Sequence, residues 1–285
     1  MDEVLAHAPV PRVSILHVDL GLVDALERAS ITCWPPTYVE DCSDGWVLRA
    51  TPGIERGRSS FALTPRMRSL ASGELPVALE RVRAWSKVHG LRGGVQFSPL
   101  ELHGDCLASL LAAGWEPAWH CWVMSVDRLE ALKRAEALGL GVATSQLAEA
   151  PWVVEREASP AWVANWMACQ PAVSRAAVDL NVRTVFGYMG ARGIFGRVGS
   201  LTSGIAVEDE VGDWTGLYSL VVRADARGQG LGRQLVRSLL ETTQTRRVFL
   251  QVETQNDVAL ALYRSFGFQI SHSYQHLLAP AGWAA

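Results

Sequence analysis

Arg227-Gly228-Gln229-Gly230-Leu231-Gly232 stands between an apolar run, Leu217 to Val222, and a run from Leu231 to Leu240 with helical spacing of its apolar residues. Glycines alternate where a strand gives way to a helix. Glycine lets the backbone approach an anion closely, and a helix start presents unpaired N–H groups to it. The stretch reads as a phosphate cradle, and its surroundings as an α/β unit.

Downstream, Leu231, Leu235, Val236, Leu239 and Leu240 mark one face of a helix. Val248–Val252 forms a strand, and Ala259, Leu262, Tyr263 and Phe266 mark a second helix face. Gly267 ends that helix as a C-terminal glycine does, and Phe268 to Leu278 returns as a strand. Strand–helix–strand implies a right-handed crossover between parallel strands.

Upstream, Trp119 to Val126 reads as a strand and the charged Asp127 to Leu140 as a helical bridge between two halves. A boundary there divides the chain into domains 1–138 and 139–285. The first half echoes the second. Leu75 to His89 is a helix, Gly94 to Phe97 a strand and Asp105 to Ala113 a helix, closed by Gly114-Trp115. With Gly114 laid over Gly267, Trp115 falls on Phe268 and Leu110 on Tyr263, a weak internal repeat. The first copy has Arg66-Met67-Arg68-Ser69-Leu70-Ala71-Ser72-Gly73 before its helix and no glycine cradle.

The 285 residues are 49% hydrophobic and 19% charged, with a net charge of -3. That is a globular composition, and it argues against disorder and against a surface built for nucleic acid. Five cysteines, at 33, 42, 106, 121 and 169, show no C-x-x-C spacing. Reduced thiols in a cytoplasm are expected, with no metal site. The N-terminus lacks a signal-peptide pattern, and no apolar run reaches membrane-spanning length. No membrane partner is expected, and the chain is read as a monomer or homodimer.

Asn256 follows the second strand, and Tyr263 lies on the helix after it, within N-D-V-A-L-A-L-Y-R-S-F-G-F. The pattern R-x-x-G-x-G followed by N-x-x-A-x-x-L-Y-x-x-x-G-F, over Leu217 to Phe268, resembles the GCN5-related N-acetyltransferases. The resemblance implies a mixed α/β sheet with two such domains in tandem, and central parallel strands that splay apart in the C-terminal one. It implies acetyl-CoA as donor and a primary amine of a small molecule or peptide as acceptor. The cofactor arm would pair with the backbone of Leu220, Val221 and Val222. Its pyrophosphate would sit on Gly228, Gln229, Gly230, Leu231, Gly232 and Arg233, with charge from Arg227 and Arg233. A backbone N–H near Val222 would face the thioester oxygen. Asn256 would bind the arm, or cap its helix. Tyr263 would be the general acid, against a plainer reading as a core aromatic.

Where some family members place a basic glutamate, this chain has Gln251. Glu253, two residues on and on the same strand face, is the first candidate base, with a water relay as the alternative. Trp162, Trp166, Met167, Phe186 and Tyr188 are candidates for an apolar acceptor wall, although packing also explains them. Trp46-Val47-Leu48-Arg49 and Gly57-Arg58-Ser59-Ser60-Phe61 read as paired strands, with Arg49 and Arg58 as acid-binding or structural charges. His272 and His276 read as surface or packing residues without an acidic partner.

Two other readings compete. A nucleotide-binding Rossmann oxidoreductase would explain the alternating glycines and Glu253 at the next strand's end. It leaves the five residues between strand and glycines, and the Asn256–Tyr263 pattern, without a role. A catalytically silent acyl-CoA sensor would explain a first half without a cradle.

Overall fold

The computed structural model describes residues 18–54, 56–71, 73–141, 151–169 and 180–285. Among them, eleven strands form one mixed sheet: β1 (Tyr38–Asp41), β2 (Val47–Ala50), β3 (Ala62–Leu63), β4 (Gly94–Phe97), β5 (Glu116–Asp127), β6 (Trp152–Glu155), β7 (Gly193–Val198), β8 (Thr202–Glu208), β9 (Trp214–Val222), β10 (Arg247–Glu253) and β11 (Gln269–Leu278). Seven helices flank it: α1 (Leu20–Cys33), α2 (Glu74–Val88), α3 (Gly104–Ala112), α4 (Arg128–Ala137), α5 (Pro160–Cys169), α6 (Leu231–Thr242) and α7 (Asp257–Ser265). Short helical turns lie between them.

The strand order is β1-β2-β3-β4-β11-β5-β10-β9-β8-β7-β6. The last strand of each half is therefore lodged in the other half's side of the sheet. β5 pairs with β10 and β11, and β11 pairs with β4 and β5, antiparallel throughout. Only β3/β4 and β9/β10 are parallel neighbours. A doubly wound parallel sheet, which the Rossmann reading requires, is not what forms.

The internal repeat is visible in the register. Gly114 and Gly267 both have positive φ, 84° and 90°, a conformation that favours glycine. In each copy the next residue's N–H returns to the helix: Trp115 to Leu110 O at 3.0 Å, and Phe268 to Tyr263 O at 3.2 Å. The same residue offset relates the two parallel pairs, since Ala62 faces Val95 where Thr215 faces Val248.

Where β3 and β4 end, the first half closes. Thr64 Oγ1 lies 3.3 Å from both Gln96 O and Ser98 O and accepts from the Ser98 N–H at 3.0 Å. At the start of α2, Glu74 accepts from the Ala71 N–H and pairs with Arg68 at 2.8 Å. A carboxylate thus already sits at the helix start where the second copy has glycines.

α1 has no counterpart in the sequence reading. Its buried face, Val23, Leu26, Glu27, Ser30 and Cys33, follows helical spacing. Leu26, Ala29, Cys33 and Trp34 join one core cluster with Trp162, Phe186, Phe195, Tyr218 and Phe249 of the second half. Cys33 Sγ donates to Val207 O at 3.1 Å, and Arg192 bonds Thr32 O at the helix end. The first helix thereby covers one face of the second half's strands. α6 and α7 pack the opposite face through Leu235, Leu239, Leu260 and Phe266.

Two sequence expectations fail here. Gly57–Ser60 is a helical turn rather than a strand, and Ala62–Leu63 pairs with β2 instead. Local bonds decide it: the Ser60 N–H reaches Arg56 O at 3.0 Å and its hydroxyl reaches Ile54 O at 2.6 Å. His272 and His276 are buried, at 1% and 2% exposure, and His272 does meet an acid, with Nε2 3.1 Å from Glu27 Oε1.

Candidate active site

β9 and β10 run parallel from Trp214/Arg247 to Leu217/Leu250 and then part, although β9 continues to Val222 and β10 to Glu253. The cause is a bulge. Opposite β8, Ser203 faces Val221 and Ile205 faces Tyr218, so β9 carries one extra residue there. Ser219 sits in it at φ 51°, a left-handed conformation unusual for a residue with a side chain. Ser219 and Leu220 stand in neither register, which leaves their backbone facing the gap.

A cavity of about 520 Å³ fills this gap. Leu220, Val252, Ala259 and Tyr263 belong to the α6/α7 side. Trp34, Cys121, Tyr218 and Tyr274 belong to the α1 side. Glu253, Cys121 and Tyr274 form one row across β10, β5 and β11. Arg56, Gly57 and Arg58 bring the first half's helical turn into the same wall, with Trp119 and His276. The opening therefore passes through the sheet, lined on one face by the second half and on the other by both halves.

The glycine stretch lies beyond the end of β9. Gly228 and Gly230 have φ of 78° and 82°. A Cβ at Gly228 would meet nothing within 4 Å, so the surface above it is open. Gly230 caps α6 without a side-chain bond, and the first turn holds no acidic residue. Gly230 O takes the N–H of Arg233 at 3.0 Å and of Gln234 at 3.1 Å. Arg227 and Arg233 are exposed beside it, and Arg227 Nε reaches Val222 O at 3.3 Å. An open helix start, left-handed glycines and exposed guanidinium groups suit a diphosphate.

Tyr263 lies on α7 and lines the cavity, 8% exposed, with its ring edge-on to Phe268. Burial pushes its hydroxyl up to about 12, against a smaller opposing effect of Arg58. The phenol is thus a proton donor at neutral pH. Asn256 caps α7, its Oδ1 accepting from the Ala259 N–H at 3.1 Å, and also lines the cavity. Glu253 is exposed at the rim. Gln251 is occupied: Nε2 donates to Ser30 Oγ at 3.0 Å, and Oε1 accepts from Tyr274 Oη at 3.3 Å.

A buried polar chain backs the cavity. Glu27 accepts from Ser98 Oγ at 2.6 Å and from Gln96 Nε2 at 3.3 Å, and Gln96 Oε1 takes Arg49 Nη2 at 2.8 Å. The carboxylate only accepts and the guanidinium only donates, so the Gln96 amide orientation is set. His276 Nε2, 3.2 Å from the same Oε1, must then donate. Burial, with Arg49 and Arg58 nearby, drives its pKa well below the usual histidine range. Arg49 is a structural charge; Arg58 faces the cavity with its guanidinium carbon 5.3 Å from the Tyr218 ring centre.

The proposed apolar wall dissolves. Trp162, Trp166 and Phe186 are core, Met167 packs against them, and Tyr188 is 53% exposed. The residues of the cavity's α1-side wall come instead from the first half, β9 and β11. No single local motif marks them, because the exchanged strands bring them together.

The sheet, its bulged splay and the glycine-led helix define a mixed α/β fold with a gap between two parallel strands. Residues 142–268 match the model of the acetyltransferase (GNAT) family. Among curated relatives, N-alpha-acetyltransferase RimI of Mycobacterium tuberculosis is 56% identical over 53 residues, covering 19% of this chain and 34% of its own. The chain spans under half the length of the curated relatives it matches, 15% to 45%. A GCN5-related N-acetyltransferase from Kribbella flavida superposes with a TM-score of 0.60 at 15% identity, covering 92% of this chain and 96% of that one. A tandem GNAT protein from the clavulanic acid biosynthesis pathway gives 0.59 at 14% identity, covering 92% of each. These two likenesses bear on fold.

No helix among the described residues is long and apolar enough to cross a membrane. Among the same residues, no group of three or more His, Cys, Asp or Glu is placed to hold a metal ion.

Proposed function

We propose that the protein is an acetyl-CoA-dependent N-acetyltransferase acting on a primary amine of a small molecule or peptide. The observation that carries this reading is the joined geometry of the bulge at Ser219 and the left-handed glycines at Gly228 and Gly230. One makes a gap through the sheet, and the other an anion cradle at its mouth. When bound, acetyl-CoA supplies the activated acetyl thioester.

The residues divide the work by position. Gly228 to Gly232, with Arg227 and Arg233, hold the diphosphate. The backbone from Ser219 to Val222, partly outside the strand ladders, pairs with the extended arm and offers N–H groups to a developing oxyanion. Asn256 helps hold the arm while capping α7. Tyr263, kept protonated by burial, supplies the proton that the leaving thiolate needs. Glu253 at the rim takes the proton that the amine must lose, directly or through water.

The chain is read as two domains, 1–138 and 139–285, with one working cradle in the second. The closed first-half strand end and Glu74 at its helix start support that division of labour. All five cysteines are free thiols, which supports a cytoplasmic, reducing setting. The testing experiment is calorimetric titration with acetyl-CoA, then thiol release over a panel of amino acids, polyamines, aminoglycosides and peptide N-termini. Binding with release of thiol and acetylated amine supports the enzyme. Binding without turnover on any amine favours a silent acyl-CoA sensor.

A further inference from the structure

The α1 side of the cavity carries a cation with no carboxylate partner among the described residues. Arg58 comes from the Gly57–Ser60 turn, and its guanidinium lies 5.3 Å from the Tyr218 ring centre and 6.0 Å from that of Trp34. Among the described residues no carboxylate forms an ion pair with Arg58 or with its neighbour Arg56. Most of the other arginines among the described residues do pair with an acid or are spent on backbone carbonyls. The Tyr274 side chain hydrogen-bonds the half-buried Arg58, but no carboxylate neutralises it, which leaves the guanidinium free to take an anion that arrives with a ligand.

Its location narrows which ligand. The glycine stretch lies beyond the end of β9, at the start of α6, and has its own arginines. Arg58 instead stands among Trp34, Tyr218 and Tyr274, on the α1 side. Its charge is felt by the Tyr263 hydroxyl, so it lies close to the reacting centre.

We infer that the acceptor is a small amine carrying a carboxylate, as an amino acid does, and that Arg58 binds that carboxylate across the aromatic wall. This rests on the acetyltransferase reading and gives its substrate class. The fork of the guanidinium matches a carboxylate bidentately. The same cation disfavours a protonated amine nearby, which helps free the nitrogen lone pair for attack. The amine nitrogen then bonds to the acetyl carbon, the thiolate leaves with the electron pair of the broken C–S bond, and the amine proton departs to base.

The test uses the full chain and matched pairs: amino acids against the amines left when the carboxylate is removed. Each pair is measured by turnover with acetyl-CoA and by calorimetric binding to the CoA-saturated protein. The carboxylate should improve kcat/KM or binding by about 30-fold or more, the effect of a buried charge pair. Arg58→Gln should bring the ratio to within a few-fold of one while acetyl-CoA affinity is unchanged, and Arg58→Lys should restore part of it. A wild-type ratio near one in both measurements, or a ratio that Arg58→Gln leaves intact, overturns the proposal but not the acetyltransferase reading. Loss of acetyl-CoA affinity in Arg58→Gln would assign Arg58 to the donor and also overturn it. Failure of wild type to bind acetyl-CoA removes the underlying reading itself.

Discussion

Glu27 Oε1 lies 3.1 Å from His272 Nε2, which ties the first helix to the last strand through side chains that are both buried. Burial alone would raise the Glu27 pKa, but the His272 hydrogen bond and charge, with Ser98 and Arg49, hold it below the usual value. The carboxylate serves Ser98, Gln96 and His272 together, so Glu27→Ala strands several buried donors. Equilibrium denaturation should show a loss of about 3 kcal/mol. A loss under about 1 kcal/mol, the scale of an exposed pair, would contradict the clamp.

Acid should destabilise the fold well before its carboxylates titrate. Burial depresses His103 from 6.5 to about 4, and burial with Arg49 and Arg58 drives His276 well below 6.5. Both folded values lie under the unfolded one, so the unfolded chain binds these protons first. Stability is therefore full above 6.5 and declines as pH falls from 6.5 toward about 4. Each group contributes a slope of up to ~1.4 kcal/mol per pH unit. His103→Gln should flatten the slope of unfolding free energy against pH; an unaltered slope in that window refutes the assignment.

Gly230→Glu should abolish acetyl-CoA binding, since a carboxylate at the helix start repels the diphosphate. The left-handed φ of 82° adds about 1 kcal/mol of strain, too little to unfold a domain. Calorimetry should show at least a 100-fold loss, by about 3 kcal/mol of lost anion contacts, with the far-ultraviolet spectrum retained. Unchanged affinity would remove the cradle from the site.

Tyr263→Phe should lower kcat by about 100-fold or more, the usual worth of a positioned acid, while leaving acetyl-CoA affinity in place. The ring stays packed on Phe268, so stability should change little. Wild-type turnover would return Tyr263 to a packing role.

The second half was legible because its signals are local. Helical spacing at Leu231, Leu235 and Leu239, and Gly267 after α7, each act within a few residues. The missed parts depend on distant neighbours. β11 reads as a strand whose His272 and His276 are surface or packing residues, yet six consecutive residues, His272 to Leu277, are buried between β4 and β5. Glu27 and Gln96 satisfy its histidines from far away in sequence. α1 gives an apolar face suited to a helix, but nothing local says that it covers β8 and β9. The bulge at Ser219 was equally silent, because serine seldom marks a left-handed residue. Arg58 reads as an acid-binding or structural charge, but its place in the cavity follows from the helical turn that stands where a strand is expected.

The most direct test is a crystal structure of the protein with bound CoA. The account predicts the diphosphate on the backbone N–H groups of Gly228 to Gly232, and the pantetheine arm in the gap between β9 and β10 with its sulfur near Tyr263. CoA bound elsewhere, or a gap that excludes the arm, would contradict it.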